Sequence, residues 1–218
     1  MSNVIFLALY LILSAVHLYG SAIKNQRIRN ITKPLLMPAL IGFYLCSVST
    51  VNWFVVALII TSWLGDVLLM IHGMKWFTLG GISFLGTHLI LIYLYTQNIA
   101  WSLQSITVII LYAIIGTGII RSIYLRLIRY MPKSNAAALL SYLCCNICMN
   151  LFAALQAVSN LNRGSGLILL GAMLFLASDS LLFLVRFDKR LPFYEQHFNV
   201  MLTYTLAKLL IVIGFIFA

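Results

Sequence analysis

Eight long apolar runs, separated by short polar breaks, take up nearly all of this 218-residue chain. A helix needs about 20 mostly apolar residues to cross the hydrocarbon of a bilayer, and each run approaches that length. Only 8% of the residues are charged, whereas a soluble domain carries roughly a quarter, so a soluble fold is excluded. The expected fold class is all-α: a polytopic membrane helix bundle of about eight transmembrane helices, forming one integral membrane domain over residues 1–218. The first run lacks a basic leader and reads as a first span rather than a cleavable signal.

The runs place spans near 3–21, 34–50, 52–71, 77–96, 102–120, 136–158, 165–185 and 197–217. "KNQRIRNITK" reads as a basic loop before the second of them, and "RFDKRLPFYEQ" closes the last hairpin. Twelve of the 14 Lys and Arg residues lie in or beside the loops after the first, third, fifth and seventh spans. Only Arg163 falls in the opposite loops, and Lys208 lies inside the last span. The positive-inside rule makes the basic side cytoplasmic, with both termini outside. A bacterial inner membrane suits so compact a chain. The net charge of +10 sets orientation rather than marking a nucleic-acid surface. The cysteines Cys46, Cys144, Cys145 and Cys148 sit in apolar runs without zinc-like spacing. They read as small residues at helix interfaces, so neither a disulfide framework nor a metal site is expected.

Of four acidic residues, Asp66 and Asp179 lie inside apolar runs, in "GDVLLM" and "SDSLLF". An Asp at a helix centre costs about 2.5–3.5 kcal/mol on insertion scales, so such residues face a bundle interior and mark a function by default. Counting the helix rise from the basic end puts both about 10 Å deep, on helices running the same way. The two motifs stand 113 residues apart (179 − 66), consistent with a 4 + 4 parallel internal repeat, whose interface is a natural site. Tyr204, Lys208, His88 and Asn146 fall about 10–16 Å deep on the same side. Lys33 stands at the mouth of the second span and His17 near the inner end of the first. Lys208 is too deep to reach water, which predicts an acidic partner or an anionic ligand. A one-sided polar layer implies a cavity open toward the basic side.

The motifs "KPLLMP" (33–38), "GDVLLM" (65–70), "THLILIYLY" (87–95), "SDSLLF" (178–183) and "TYTLAKLLIVIG" (203–214) occur in order along the chain. In that arrangement the chain resembles the YhhN-like lysoplasmalogenase family. The resemblance implies an eight-span membrane enzyme that hydrolyses the vinyl ether bond of lysoplasmalogen, giving a fatty aldehyde and glycerophosphoethanolamine or glycerophosphocholine. It implies Asp66 and Asp179 as catalytic acids, Lys33 as the entry lysine, and Tyr204 as the tyrosine of the last span. Lys208 departs from the glutamine of some relatives. No cofactor and no metal are implied. The expected partners are a lysophospholipid substrate and the bilayer, with monomer and homo-oligomer both open, and no nucleic acid.

Paired carboxyls suit that chemistry. Vinyl ether cleavage protonates the β-carbon, stabilises an oxocarbenium ion and adds water. Two neighbouring carboxyls in a low-dielectric site cannot readily both ionise, so one serves as acid while the other serves as anion and base. Lys33, His88, Tyr204, Lys208 and Asn146 are the candidate substrate-binding or tuning groups. The alternatives are a small proton-coupled transporter, since intramembrane acids and parallel repeats are common there, and another lipid-directed or proteolytic intramembrane hydrolase.

Overall fold

The computed structural model describes residues 2–97, 99–130, 133–188 and 193–217. Its helices are α1 (Ser2–Ala22), α2 (Gln26–Ser47), α3 (Trp53–Met70), α4 (Met74–Thr96), α5 (Leu103–Leu127), α6 (Lys133–Ser159), α7 (Arg163–Phe187) and α8 (Phe193–Phe217), with a single 3₁₀ turn at Ile128–Tyr130. This is the polytopic helix bundle expected from the apolar runs. Seven of the helices have the length and apolarity of membrane spans. The eighth, α2, has 22 residues and is about 33 Å long at the standard rise, enough to cross a core of about 30 Å. Lys33, Pro34 and Pro38 dilute its apolar stretch, and its Leu36, Met37 and Leu40 are nevertheless buried in the bundle.

Two boundaries differ from those read off the sequence. α2 starts at Gln26, not near residue 34, so most of "KNQRIRNITK" is helical. The cause is local. Lys24 adopts a positive φ of 58°, and the Asn25 side chain accepts from the backbone N–H groups of Arg27 and Ile28, capping the exposed amides of a first turn. Gly20 lets α1 and α2 close on this turn, because a Cβ there would lie 2.6 Å from Ile28 Cγ2. α5 likewise runs to Leu127, carrying Arg121 and Arg126 on a helix instead of a loop. Arg126 reaches across to Asp188 just past the end of α7, which gives that extension a partner. Lys189 and Arg190 lie outside the described residues.

Pro34 and Pro38 do not break α2. A proline has no N–H for the carbonyl four residues before it, so Pro38 frees the carbonyl of Pro34. The Trp63 indole of α3 takes that carbonyl at 2.9 Å. The defect in one helix thus becomes a bond to the next.

Consecutive helices pack as hairpins, and the neighbour pattern repeats. α1–α2, α2–α3 and α3–α4 contacts match α5–α6, α6–α7 and α7–α8. The halves meet through α4 with α6 and α8 with α2, the same pair of positions taken in opposite order, and also through α1 with α8, where the Tyr10 hydroxyl donates to the Thr205 carbonyl at 2.8 Å. α7 and α8 pack closely because Gly171 and Gly214 sit at their contact. A Cβ at Gly171 would stand 2.9 Å from the Ala207 carbonyl, and one at Gly214 would stand 2.8 Å from that of Gly164. α5 presents Ile106, Ile110 and Ile114 outward, as a lipid-facing helix does. The cysteines of α6 are not interface residues: Cys144 and Cys148 are exposed and Cys145 is half-buried, while Cys46 of α2 is exposed too.

Candidate active site

Asp66 lies on α3, one turn from its end, and is buried. Gly65 beside it has no side chain, so the Phe84 ring of α4 lies against the backbone, 2.6 Å from where a Cβ would be. Two elements reach the carboxylate. Tyr204 of α8 donates to Oδ2 at 2.7 Å, and Lys33 Nζ of α2 lies 3.4 Å from Oδ1. Lys33 is therefore not at the mouth of its helix. It stands seven residues into α2, about 10 Å along it, because α2 begins at Gln26.

Asp179 lies on α7 and is also buried. Tyr142 and Asn146, one turn apart on α6, both donate to its Oδ2, at 2.7 and 2.8 Å. His88 of α4 places Nε2 3.4 Å from the same oxygen without a hydrogen-bond alignment, and among the described residues neither of its ring nitrogens has a hydrogen-bond partner. The neighbouring Ser178 donates to the Val200 carbonyl at 3.1 Å, fixing α7 against α8 at this level.

The two sets of partners obey the repeat. Each acid on the third helix of its half is held from the second helix of the same half and the fourth helix of the other half. Lys33 and Asn146 each stand 33 residues before the acid they contact (66 − 33 and 179 − 146). The repeat is asymmetric in chemistry: an ammonium serves Asp66 where an amide serves Asp179.

Among the described residues no hydrogen bond joins the two carboxyls directly. Lys208 and an aromatic cluster lie between their partner sets. Lys208 is fully buried, and the ion pair that its depth suggested is not formed. Its Nζ instead donates to Ser62 Oγ at 2.8 Å and sits 3.7 Å above the Phe175 ring. A ring face attracts a desolvated cation strongly, which gives the ammonium a partner where no carboxylate reaches. Phe175 also stacks on His88, with centroids 4.8 Å apart, and lies near Tyr204, at 6.0 Å. The candidate residues Asp66, Lys33, Tyr204, Asp179, His88, Asn146 and Lys208 thus share one buried polar layer. Tyr142, Ser62 and Phe175 belong to it as well and were not singled out from the sequence. Tyr142 had one available signal: it precedes Asn146 by four residues, which puts both on one helix face.

Two cavities adjoin this layer. One, of about 410 Å³, is an apolar groove between α4, α6 and α7, walled by Phe77, Ile82, Leu85, Tyr142 and Phe183. The other, of about 160 Å³, is a polar vestibule at the basic end, walled by Lys33 among others, and Phe77 borders both.

A bundle of long apolar helices with two buried, separately partnered carboxylates at its centre defines an integral membrane protein with an intramembrane acid site. Its sequence assigns it further: the chain belongs to the YhhN family, whose profile matches residues 28–215. That stretch contains every member of the polar layer. No curated protein and no solved structure matches the chain.

Proposed function

We propose that this protein is a hydrolase of the lysoplasmalogenase type, cleaving the vinyl ether bond of a lysophospholipid to a fatty aldehyde and a glycerophospho-alcohol. The observation that carries the proposal is the pair of buried carboxylates with unlike partners, one of them held by Tyr142, which also lines an apolar groove. Family membership supports it.

The partners divide the roles. Both neutral donors to Asp179 fall on Oδ2, which leaves Oδ1 to carry a proton, and this proton goes to the β-carbon of the vinyl ether. The C=C electron pair forms the new C–H bond, and positive charge develops at the α-carbon and the ether oxygen. Asp66, with Lys33 and Tyr204 fixing its orientation, supplies the negative charge facing that oxocarbenium ion. Charge placed in advance in a water-poor site stabilises the developing cation without reorganisation. Water then adds to the α-carbon and gives its proton to a carboxylate. The hemiacetal collapses with protonation of the departing glycerol oxygen, so one water is consumed overall and the acid is regenerated. These proton transfers need no metal. The fatty chain lies in the groove beside Tyr142. The basic loops face the cytoplasm by the positive-inside rule, so the vestibule opens to that leaflet.

The test is mass spectrometry of purified protein incubated with an alkenyl lysophospholipid and with its saturated alkyl analogue. Fatty aldehyde and glycerophospho-alcohol are expected from the first and nothing from the second. Uptake of solute into proteoliposomes without chemical change would favour a transporter instead.

A further inference from the structure

Apart from Lys33, the polar groups of the vestibule on the far side of Phe77 are ones that the reaction does not use. Its wall includes Arg29, Lys33 and Arg186, together with the imidazoles of His17, His72 and His197. Among the described residues lining it there is no carboxylate. Arg29 is only 7% exposed, so a guanidinium is held in the protein wall and is not a solvated surface charge. His17 is fully buried. The Thr32 hydroxyl donates to the Ile28 carbonyl at 2.8 Å, so His17 donates through Nδ1 to Thr32 Oγ1 at 2.8 Å and presents Nε2 as an acceptor with no hydrogen-bond partner among the described residues. Arg186 lies over the Phe77 ring, 5.2 Å from its centroid, which places a second guanidinium at the boundary with the apolar groove.

From this we infer that the vestibule is a phosphate-binding subsite that takes the phosphodiester headgroup of a lysolipid, with Arg29 and Arg186 as its donors. Guanidinium groups match phosphate oxygens in a two-pronged geometry. The volume of about 160 Å³ is far above the roughly 10–15 Å³ that one water requires. The arrangement also orders the substrate. Phosphate lies in the vestibule and the chain in the groove, so the bond between them passes Phe77, next to Lys33 on the Asp66 side and Tyr142 on the Asp179 side. The inference rests on the lysolipid reading above, but not on the vinyl ether chemistry.

The test is equilibrium binding to the full chain in an uncharged detergent. The probes are a saturated alkyl lysophosphatidylethanolamine, the phosphate-free alkylglycerol with the same tail, and inorganic phosphate. The lysolipid is expected to bind at least about tenfold tighter than the alkylglycerol, a difference of one charge-assisted contact. R186Q, at an exposed side chain, is expected to weaken lysolipid binding about tenfold and leave alkylglycerol binding unchanged. R29Q is expected to do the same, and K75Q at the same end of the bundle should change neither. Equal affinity for lysolipid and alkylglycerol, or an R186Q variant with unaltered lysolipid affinity, would overturn the subsite. Inorganic phosphate competing as tightly as the lysolipid would overturn its assignment to a lipid headgroup. Arg186-dependent binding in a protein that releases no aldehyde supports the subsite and removes only the hydrolase reading, since the probe has no vinyl ether.

Discussion

Replacing Lys33 with Met takes the ammonium from beside Asp66 and leaves the carboxylate with the Tyr204 hydroxyl alone. Breaking a buried ion pair from one side costs about 3–5 kcal/mol, because the other charge stays behind uncompensated. Lys33 retains 12% of its side-chain exposure and the contact is 3.4 Å, which puts this pair at the low end, about 3 kcal/mol. For a chain of this size that lowers the melting temperature by about 6–12 °C. The K33M/D66N double variant removes both charges and should regain most of the loss, giving a coupling of about 2–3 kcal/mol. Aldehyde release should be lost in both. Thermal unfolding of the four proteins in one detergent, read by intrinsic fluorescence, completes the cycle. If K33M melts within about 2 °C of the parent, or the double variant melts below K33M, the buried pair is not what holds Asp66 and the reasoning fails.

Tyr142→Phe removes one of the hydrogen bonds that stabilise Asp179 as it becomes anionic on giving up its proton, worth about 1.5–3 kcal/mol to a charged group, and should slow aldehyde release about 10–100-fold while the protein still elutes as a folded species. Trp63→Phe loses the indole bond to the Pro34 carbonyl, about 1 kcal/mol; the expected result is a melting temperature lower by about 2–4 °C with turnover nearly unchanged. Gly171→Val forces a side chain toward the Ala207 carbonyl, 2.9 Å from its Cβ. Overpacking of this kind costs about 1–3 kcal/mol, so the melting temperature should fall and protease sensitivity of the α7–α8 hairpin should rise.

The apolar runs and the two Asp motifs were enough to place every helix and the polar layer, because in a bilayer length and apolarity leave few alternatives. The start of α2 was not legible. "KNQRIRNITK" is polar enough to read as a loop, and only the Asn25 cap and the contact between Gly20 and Ile28 turn it into helix. That shift moved Lys33 from a helix mouth to the level of Asp66, which a count of apolar residues cannot foresee. Depth alone predicts an acidic partner or an anionic ligand for Lys208, and the ring face of Phe175 is invisible to that count. Tyr142 went unnoticed because a tyrosine in an apolar run reads as packing. Its spacing to Asn146, and the matching spacing of Arg29 to Lys33 in the other half, carried the signal.

The central claim is that both buried acids act in one reaction. It is tested most directly by aldehyde release from an alkenyl lysophospholipid, measured for D66N and D179N after each is shown to be folded and membrane-inserted. Each substitution keeps the side-chain volume and removes only the ionisable oxygen. Both variants are expected to release no aldehyde above the uncatalysed background; near-normal turnover by either one would contradict the two-acid mechanism.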